Sequence, residues 1–406
     1  MTTIYGHYFC FESPSLITAI LTISNGKITD IKTSPTEQEI SKCDQSYPDC
    51  VMTPAFVDSH VHFPQTRVKG SASGPLLPWL NSTVFPEESR FADPSYARRV
   101  ATEFCDQLIQ AGTGAACIYS SPHLESTDIL FEVLAERGLK AMAGLTLMDQ
   151  SAPPENLHNV AYAKSSMETL IQKWHDFDQG RLRYCVTPRF ALSCSAEMLR
   201  MAGEISNYHD LWMQTHLSEN RDEVEIAQNL FPDIQSYLGI YDHFGLLHQK
   251  SLFAHCIYVE EEEWNLFSEK GAVVSHNPDS NFFLGSGCMP FAAIQQRGIP
   301  ITMGSDVGAG RSFSLRIAGG RAYDASLIVK EPISALQCLQ SICGENRSRL
   351  GFGGQIAIGE DADFSIFPYT GSKDSKMVAE YLMFDHGDVQ AKTVYVRGKN
   401  ISDGSK

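Results

Sequence analysis

Val51-Met-Thr-Pro-Ala-Phe-Val-Asp-Ser-His-Val-His62 runs from an apolar stretch into two imidazoles set two residues apart. Side chains alternate across a strand, so His60 and His62 leave the same face of a strand end and are placed to share one metal ion. A His-x-His pair alone is common on surfaces and in cores. Three later apolar runs end in residues of the same chemical kind: Thr215-His216, Ala254-His255 and Gly304-Ser-Asp306. Ligand-type side chains at several strand ends are what a closed barrel of parallel strands brings to a single face.

Outward from residue 54, eight short apolar runs read as strands: Ala55–His60, Gly114–Ser120, Lys140–Leu147, Arg183–Arg189, Trp212–His216, Leu252–Cys256, Ala272–His276 and Ile301–Asp306. Helical periodicity lies between them, as in Tyr96–Ala111, Thr127–Arg137, Ser195–Asn207, Glu219–Leu230, Glu260–Lys270 and Pro290–Arg297. Ser195 with Glu197 marks a helix start, and Gly112, Gly138, Gly271 and Gly298 mark helix ends. Eight alternations predict a (β/α)8 TIM barrel over residues 54–358. An open doubly wound sheet is the competitor, but it would need a glycine-rich phosphate loop after its first strand, and the sequence has none.

The flanks read differently. Ser15-Leu-Ile-Thr-Ala-Ile-Leu-Thr-Ile23 with a turn at Asn25-Gly26, then Asp363-Phe-Ser-Ile-Phe367 and Lys392-Thr-Val-Tyr-Val-Arg-Gly398, predict β-hairpins at both ends. Residues 1–53 and 359–406 are expected to form one small composite β-sandwich beside the barrel, its second part starting at Gly359-Glu-Asp-Ala-Asp363.

Composition narrows the function. Of 406 residues, 43% are hydrophobic and 20% charged, ordinary for a chain that buries a full core. The formal charge of −16, from 32 basic against 48 acidic residues, leaves no basic stripe for nucleic acid or an anionic membrane, so a small neutral substrate fits better. Eleven cysteines without a C-x-x-C pair, and no basic-then-apolar leader, read as reduced thiols in a cytoplasmic protein. No apolar run approaches the ~20 residues of a membrane span.

Three imidazoles and one carboxylate suit Zn2+, with Fe2+ the other candidate, and such an ion lowers the pKa of a bound water from about 15.7 toward ~7. Asp306 is placed both to touch the metal and to accept the water's proton. His255 reads as a ligand or, preferably, as a hydrogen-bond partner of the attacking oxygen; Cys256 beside it reads as a buried apolar residue. Strand four ends in Arg189, whose guanidinium cannot ligate a cation, so one metal per chain is expected and Arg189 is free to hold a substrate carbonyl. Glu219, just past His216, reads either as a carboxylate at a helix N-terminus or as a proton shuttle for a ring nitrogen and a leaving amine; the metal context favours the shuttle. His123 and His276 read as structural histidines, and Glu260–Glu263 as a solvated helix start.

His60-Val-His-Phe-Pro-Gln65, Leu76-Leu-Pro-Trp-Leu80 with Phe85-Pro-Glu87, Val186-Thr-Pro-Arg-Phe190 with Leu192-Ser-Cys-Ser195, Thr215-His-Leu-Ser-Glu-Asn-Arg-Asp-Glu-Val224, His276-Asn-Pro-Asp-Ser-Asn281 and Gly304-Ser-Asp-Val-Gly-Ala-Gly310 stand together in this chain. They resemble the amidohydrolase superfamily over essentially the whole length and, within it, the guanine deaminases. The resemblance implies that His60, His62, His216 and Asp306 bind zinc and that Glu219 is the general acid/base, acting with Asp306 and His255. It also implies that Gln65, Arg189 and Phe190, beside His216 and Glu219, contact a purine, that guanine is hydrolysed to xanthine and ammonia, and that the enzyme is a homodimer. Pro78, where the family often has Glu, and Gly114-Ala115 depart from the pattern without touching the metal set. The long Phe63–Phe91 stretch, rich in Gly, Ser and Pro, suits an active-site cover in which Trp79 is either core or a substrate contact. Two alternatives remain: the same chemistry on another aminated heterocycle (a pterin, a triazine or 8-oxoguanine), and a non-catalytic binding protein on the same barrel, which the intact residue set disfavours.

Overall fold

The computed structural model describes residues 1–71, 74–344, 346–385 and 390–403. Eight parallel strands follow one another around a ring in chain order: β1 (Phe56–His62), β2 (Thr113–Tyr119), β3 (Lys140–Gly144), β4 (Leu182–Pro188), β5 (Trp212–Leu217), β6 (Ser251–His255), β7 (Val273–His276) and β8 (Ile301–Met303). The eight predicted strands are thus all present, with small shifts at their ends. The ring closes just past β8, where the Asp306 amide donates to the His60 carbonyl (2.8 Å) and the His62 amide to the Val307 carbonyl (3.0 Å). Every residue of β1 and β2 is buried, as expected for parallel strands with helices outside and packed side chains within.

Local signals place the helices. Asp93 caps Pro94–Gln110, its carboxylate accepting from the Ser95 amide (2.9 Å) with Pro94 in the first turn. Leu124–Arg137 and Glu261–Lys270 stop at Gly138 and Gly271, whose φ angles of 78° and 69° lie in the left-handed region. Ser195 starts Ala196–Tyr208, its hydroxyl accepting from the Met198 amide (3.1 Å) and donating to Asp149 (2.5 Å). Ser195→Ala is therefore expected to lower the unfolding free energy by about 1 kcal/mol, read as an earlier urea midpoint; an unmoved midpoint would show that the cap carries no weight.

Four longer helices lie outside the predicted set: Val160–Trp174, Leu315–Ile328, Ala335–Cys343 and Ser375–Phe384. Leu315–Ile328 has Ala318-Gly-Gly-Arg-Ala322 near its centre and buries much of its length, so no apolar stripe marks it. Ser375–Phe384 belongs to the C-terminal flank, yet its Val378, Leu382 and Met383 join the barrel's core.

Strands from both flanks form one seven-stranded sheet, in the order Lys399–Asn400, Thr393–Val396, Phe364–Pro368, Gln45–Pro54, Thr2–Cys10, Ser15–Ser24, Lys27–Thr33. All pairs are antiparallel except Thr2–Cys10 with Gln45–Pro54. The edge strand Lys27–Thr33 is tied back at its start to the segment entering Phe364–Pro368: Lys27 bridges to Asp361, and the Ala362 amide donates to the Gly26 carbonyl. Where a sandwich is expected, the described residues form this one sheet, with Ile4, Leu21, Ile28, Met52, Phe364 and Ile366 in its buried cluster. Asp363 ties the sheet to the barrel, pairing with Lys140 Nζ (2.5 Å) and accepting from Arg347 Nη2 (3.2 Å). Only Ala55 separates Gln45–Pro54 from β1, so the strand that presents His60 and His62 starts from a fixed support. Among the described residues, no helix is long and apolar enough to cross a membrane.

Candidate active site

His60 and His62 on β1, His216 on β5, His255 at the end of β6 and Asp306 just past β8 converge at the C-terminal mouth of the barrel. Asp306 Oδ1 lies 3.2 Å from His60 Nε2 and 3.3 Å from His62 Nε2, and His62 Nε2 lies 3.2 Å from His216 Nε2. His216 Nδ1 is 2.6 Å from the Arg189 carbonyl. A carbonyl only accepts, so Nδ1 carries the proton and Nε2 is left with a lone pair facing the cluster. Burial pushes His60 down to about 4 and lowers His62 and His216 as well. Burial alone would raise Asp306, but the facing His60 and His62 hold it well below the carboxylate range.

Neutral imidazoles beside an ionised carboxylate are the protonation states in which these side chains bind a cation. Among the described residues, His60 Nε2 and His255 Nε2 are buried with no hydrogen-bond partner, and the donor set fits a divalent metal. The glycine of Gly304-Ser-Asp306 is required by the close approach of β8 to β1. A Cβ there would lie 2.5 Å from Asn277 Oδ1 and 2.6 Å from His60 Cβ. His255 and Asp306 themselves adopt left-handed backbone, with φ of 71° and 50°, a conformation that costs about 1–3 kcal/mol and turns both side chains into the mouth.

The helix after β5 begins at Arg221, with Asn220 as its cap, two residues later than the periodicity predicts. Glu223 closes a capping box, its Oε2 accepting from the Glu219 and Asn220 amides (2.8 and 3.0 Å). Asp222 and Glu223 thus face the helix dipole, and Glu219 stands outside the helix. Its carboxyl is buried, accepts from Ser286 Oγ (3.2 Å) and lies 3.4 Å from His255 Nε2. Burial and then the Asp306 charge push Glu219 up to about 8, with Ser286 opposing. A carboxyl that changes state near neutrality is suited to proton transfer, and a bound cation would draw it lower. His255 Nδ1 pairs with Asn281 Oδ1 (2.9 Å), and its Nε2 also faces Asp306 Oδ2 at 3.7 Å.

A narrow pocket opens over this cluster. Leu76, Trp79, Leu80, Phe190 and Leu284 wall it, and Gln65 and Arg189 supply its polar edge. The first three come from the Phe63–Phe91 stretch, folded into short helical pieces such as Leu76–Trp79 and Phe85–Ser89, so this stretch does cover the mouth. Trp79 lines the pocket while its indole N–H donates to the Ser71 carbonyl (3.0 Å), which makes it both cover core and pocket wall. Cys256 is buried and free, and His276 is fully buried; neither His123 nor His276 lines the pocket.

One residue escapes sequence reading. Glu88, on Phe85–Ser89, is 1% exposed and accepts from Arg189 Nη1 with both oxygens (2.9 and 2.7 Å) and from Gln65 Nε2 with Oε1 (3.1 Å). Its signal is weak: Glu87-Glu88 after a proline reads as a solvated helix start. Both carboxylates are instead buried, Glu87 against Arg90 (2.8 Å) and Tyr96.

The model of the Amidohydrolase family matches residues 51–401. The chain belongs to the amidohydrolase family. Among amidohydrolases it is similar to the guanine deaminase of Escherichia coli (strain K12), 34% identical over 330 residues that cover 80% of this chain and 75% of that protein. It is 38% identical to a probable guanine deaminase of Deinococcus radiodurans over 315 residues, 75% of this chain and 70% of that one. The crystal structure of guanine deaminase from C. acetobutylicum with guanine in its active site superposes with a TM-score of 0.92 at 28% identity, covering 98% of this chain and 99% of that chain.

Proposed function

We propose that this amidohydrolase hydrolyses guanine to xanthine and ammonia. The observation that carries the reading is one pocket holding a metal-type donor set at its base, a buried carboxyl poised near neutrality at its side, and Arg189 with Gln65 at its far edge. A guanidinium donates to a carbonyl, an amide both donates and accepts, and apolar walls suit a planar ring. Guanine has this pattern, with a carbonyl and ring N–H on one edge and the amino-bearing carbon beside them. The guanine deaminases among its relatives, and the guanine-bound structure it resembles, support the same substrate over a pterin, triazine or 8-oxoguanine.

His60, His62, His216 and Asp306 would hold a single zinc ion, whose chemistry is to lower the pKa of water toward ~7. Asp306 accepts the proton of the attacking water, and His255 steadies its oxygen. Glu219 delivers its proton to the ring nitrogen beside the amino-bearing carbon, takes the proton of the added hydroxyl as the new carbonyl forms and passes it to the departing amine, so the C–N bond breaks and ammonia leaves; the proton held by Asp306 then restores Glu219. Phe190 gives the purine an aromatic wall. Residues 54–358 carry the site, with 1–53 and 359–406 as its support. Eleven free cysteines support a cytoplasmic enzyme, and the family resemblance supports a homodimer.

Purified protein is expected to hold one equivalent of divalent metal per chain and to release ammonia from guanine with equimolar xanthine. Two equivalents at full activity would overturn the single-metal assignment. Turnover of a pterin or triazine, with none of guanine, would overturn the substrate.

A further inference from the structure

Glu88 is carried by the cover but bonds to the polar edge of the pocket. Its carboxylate takes two bonds from Arg189 Nη1, which comes from the end of β4, and one from Gln65 Nε2, which follows β1. Gln65 Oε1 is occupied by the Gly308 amide (3.1 Å), so the amide cannot flip: nitrogen faces Glu88 and oxygen faces Gly308. Arg189 is fixed in the same way, its guanidinium lying 5.2 Å from the centre of the Phe85 ring, also on the cover. Nη2 and Nε are left as the donors that a ligand can use. A buried Arg–Glu pair gains little over apolar residues of the same size, so holding the cover down does not account for this one.

We propose that Glu88 is the positioning residue that sets the pocket's recognition edge, holding the Arg189 guanidinium and the Gln65 amide in the one arrangement that reads a carbonyl next to a ring N–H. Because Glu88 rides on the cover, that edge is complete only when the cover is seated. The inference rests on the guanine reading. It assigns selectivity to a residue that touches neither the metal donors nor the reacting carbon.

Glu88→Gln keeps the size but removes the charge and puts a donating nitrogen in place of one oxygen. With its remaining oxygen at Oε1 it can still accept from Arg189 and Gln65, but the 2.7 Å bond from Arg189 Nη1 to Oε2 is lost and nitrogen faces nitrogen there, so the guanidinium is no longer held. The kcat/KM for guanine is expected to fall about 10-fold, chiefly through KM, with metal content unchanged. The loss should be clearly smaller on 2-aminopurine, which has the amino-bearing carbon but no carbonyl, so the preference between the two bases shrinks. Glu88→Asp, keeping the charge, should restore part of that preference, and it decides the matter if Glu88→Gln does not fold. In an Arg189→Leu background, Glu88→Gln should cost little further and raise the melting temperature, because it removes an unpaired buried carboxylate. Equal losses on both bases, additive with Arg189→Leu, would reduce Glu88 to a cover contact and overturn this inference alone. Wild-type protein that releases no ammonia from guanine would take both readings down.

Discussion

Glu219→Gln is expected to lower kcat by at least ~10²-fold while leaving metal content and KM near wild type. The substitution keeps the volume of a side chain that is 2% exposed, and a glutamine oxygen can still accept from Ser286. What it removes is the proton that moves. Glu223 cannot take over, because its Oε2 is occupied by two backbone amides and its Oε1 by the Tyr237 hydroxyl (2.7 Å). Steady-state turnover with metal analysis on the same preparation checks this, and near-wild-type kcat would place the proton transfer elsewhere.

Arg189→Leu should cut kcat/KM for guanine roughly 10–200-fold, the loss of a buried charge-assisted bond of about 1.5–3 kcal/mol. It should also strand Glu88 as an unpaired buried carboxylate, at about 3–5 kcal/mol of stability, so kinetics belong at a temperature where the variant is folded. On 2-aminopurine the kinetic penalty should be much smaller. An equal penalty on both bases would mean that Arg189 supports the cover instead of the substrate carbonyl.

The barrel and its donor cluster were legible because both rest on local chemistry. Each strand is a short apolar run, and His60, His62, His216, His255 and Asp306 stand at run ends where a barrel gathers side chains. Glu88 was not legible: its meaning lies in contact with Arg189, 101 residues away, and nothing near it in sequence separates a buried carboxylate from a solvated one. Glu219 lines the pocket as expected but lies outside the helix, because Glu223, four residues on, whose carboxylate accepts from the Glu219 amide, decides where the first turn begins. Leu315–Ile328 stayed hidden since a helix of small buried residues shows no periodic face.

The pairing of Gln45–Pro54 with Phe364–Pro368 joins residues roughly 310 positions apart. During synthesis, at ~5–20 residues per second, the strand leading into β1 waits roughly 15–60 s for its neighbour. Over that interval its free edge can hydrogen-bond to any extended segment, including the same strand on an adjacent nascent chain. The late-arriving C-terminal flank therefore acts as the fold's final seal, and the yield of soluble protein, more than its finished stability, is where a defect in Phe364–Pro368 would first be felt.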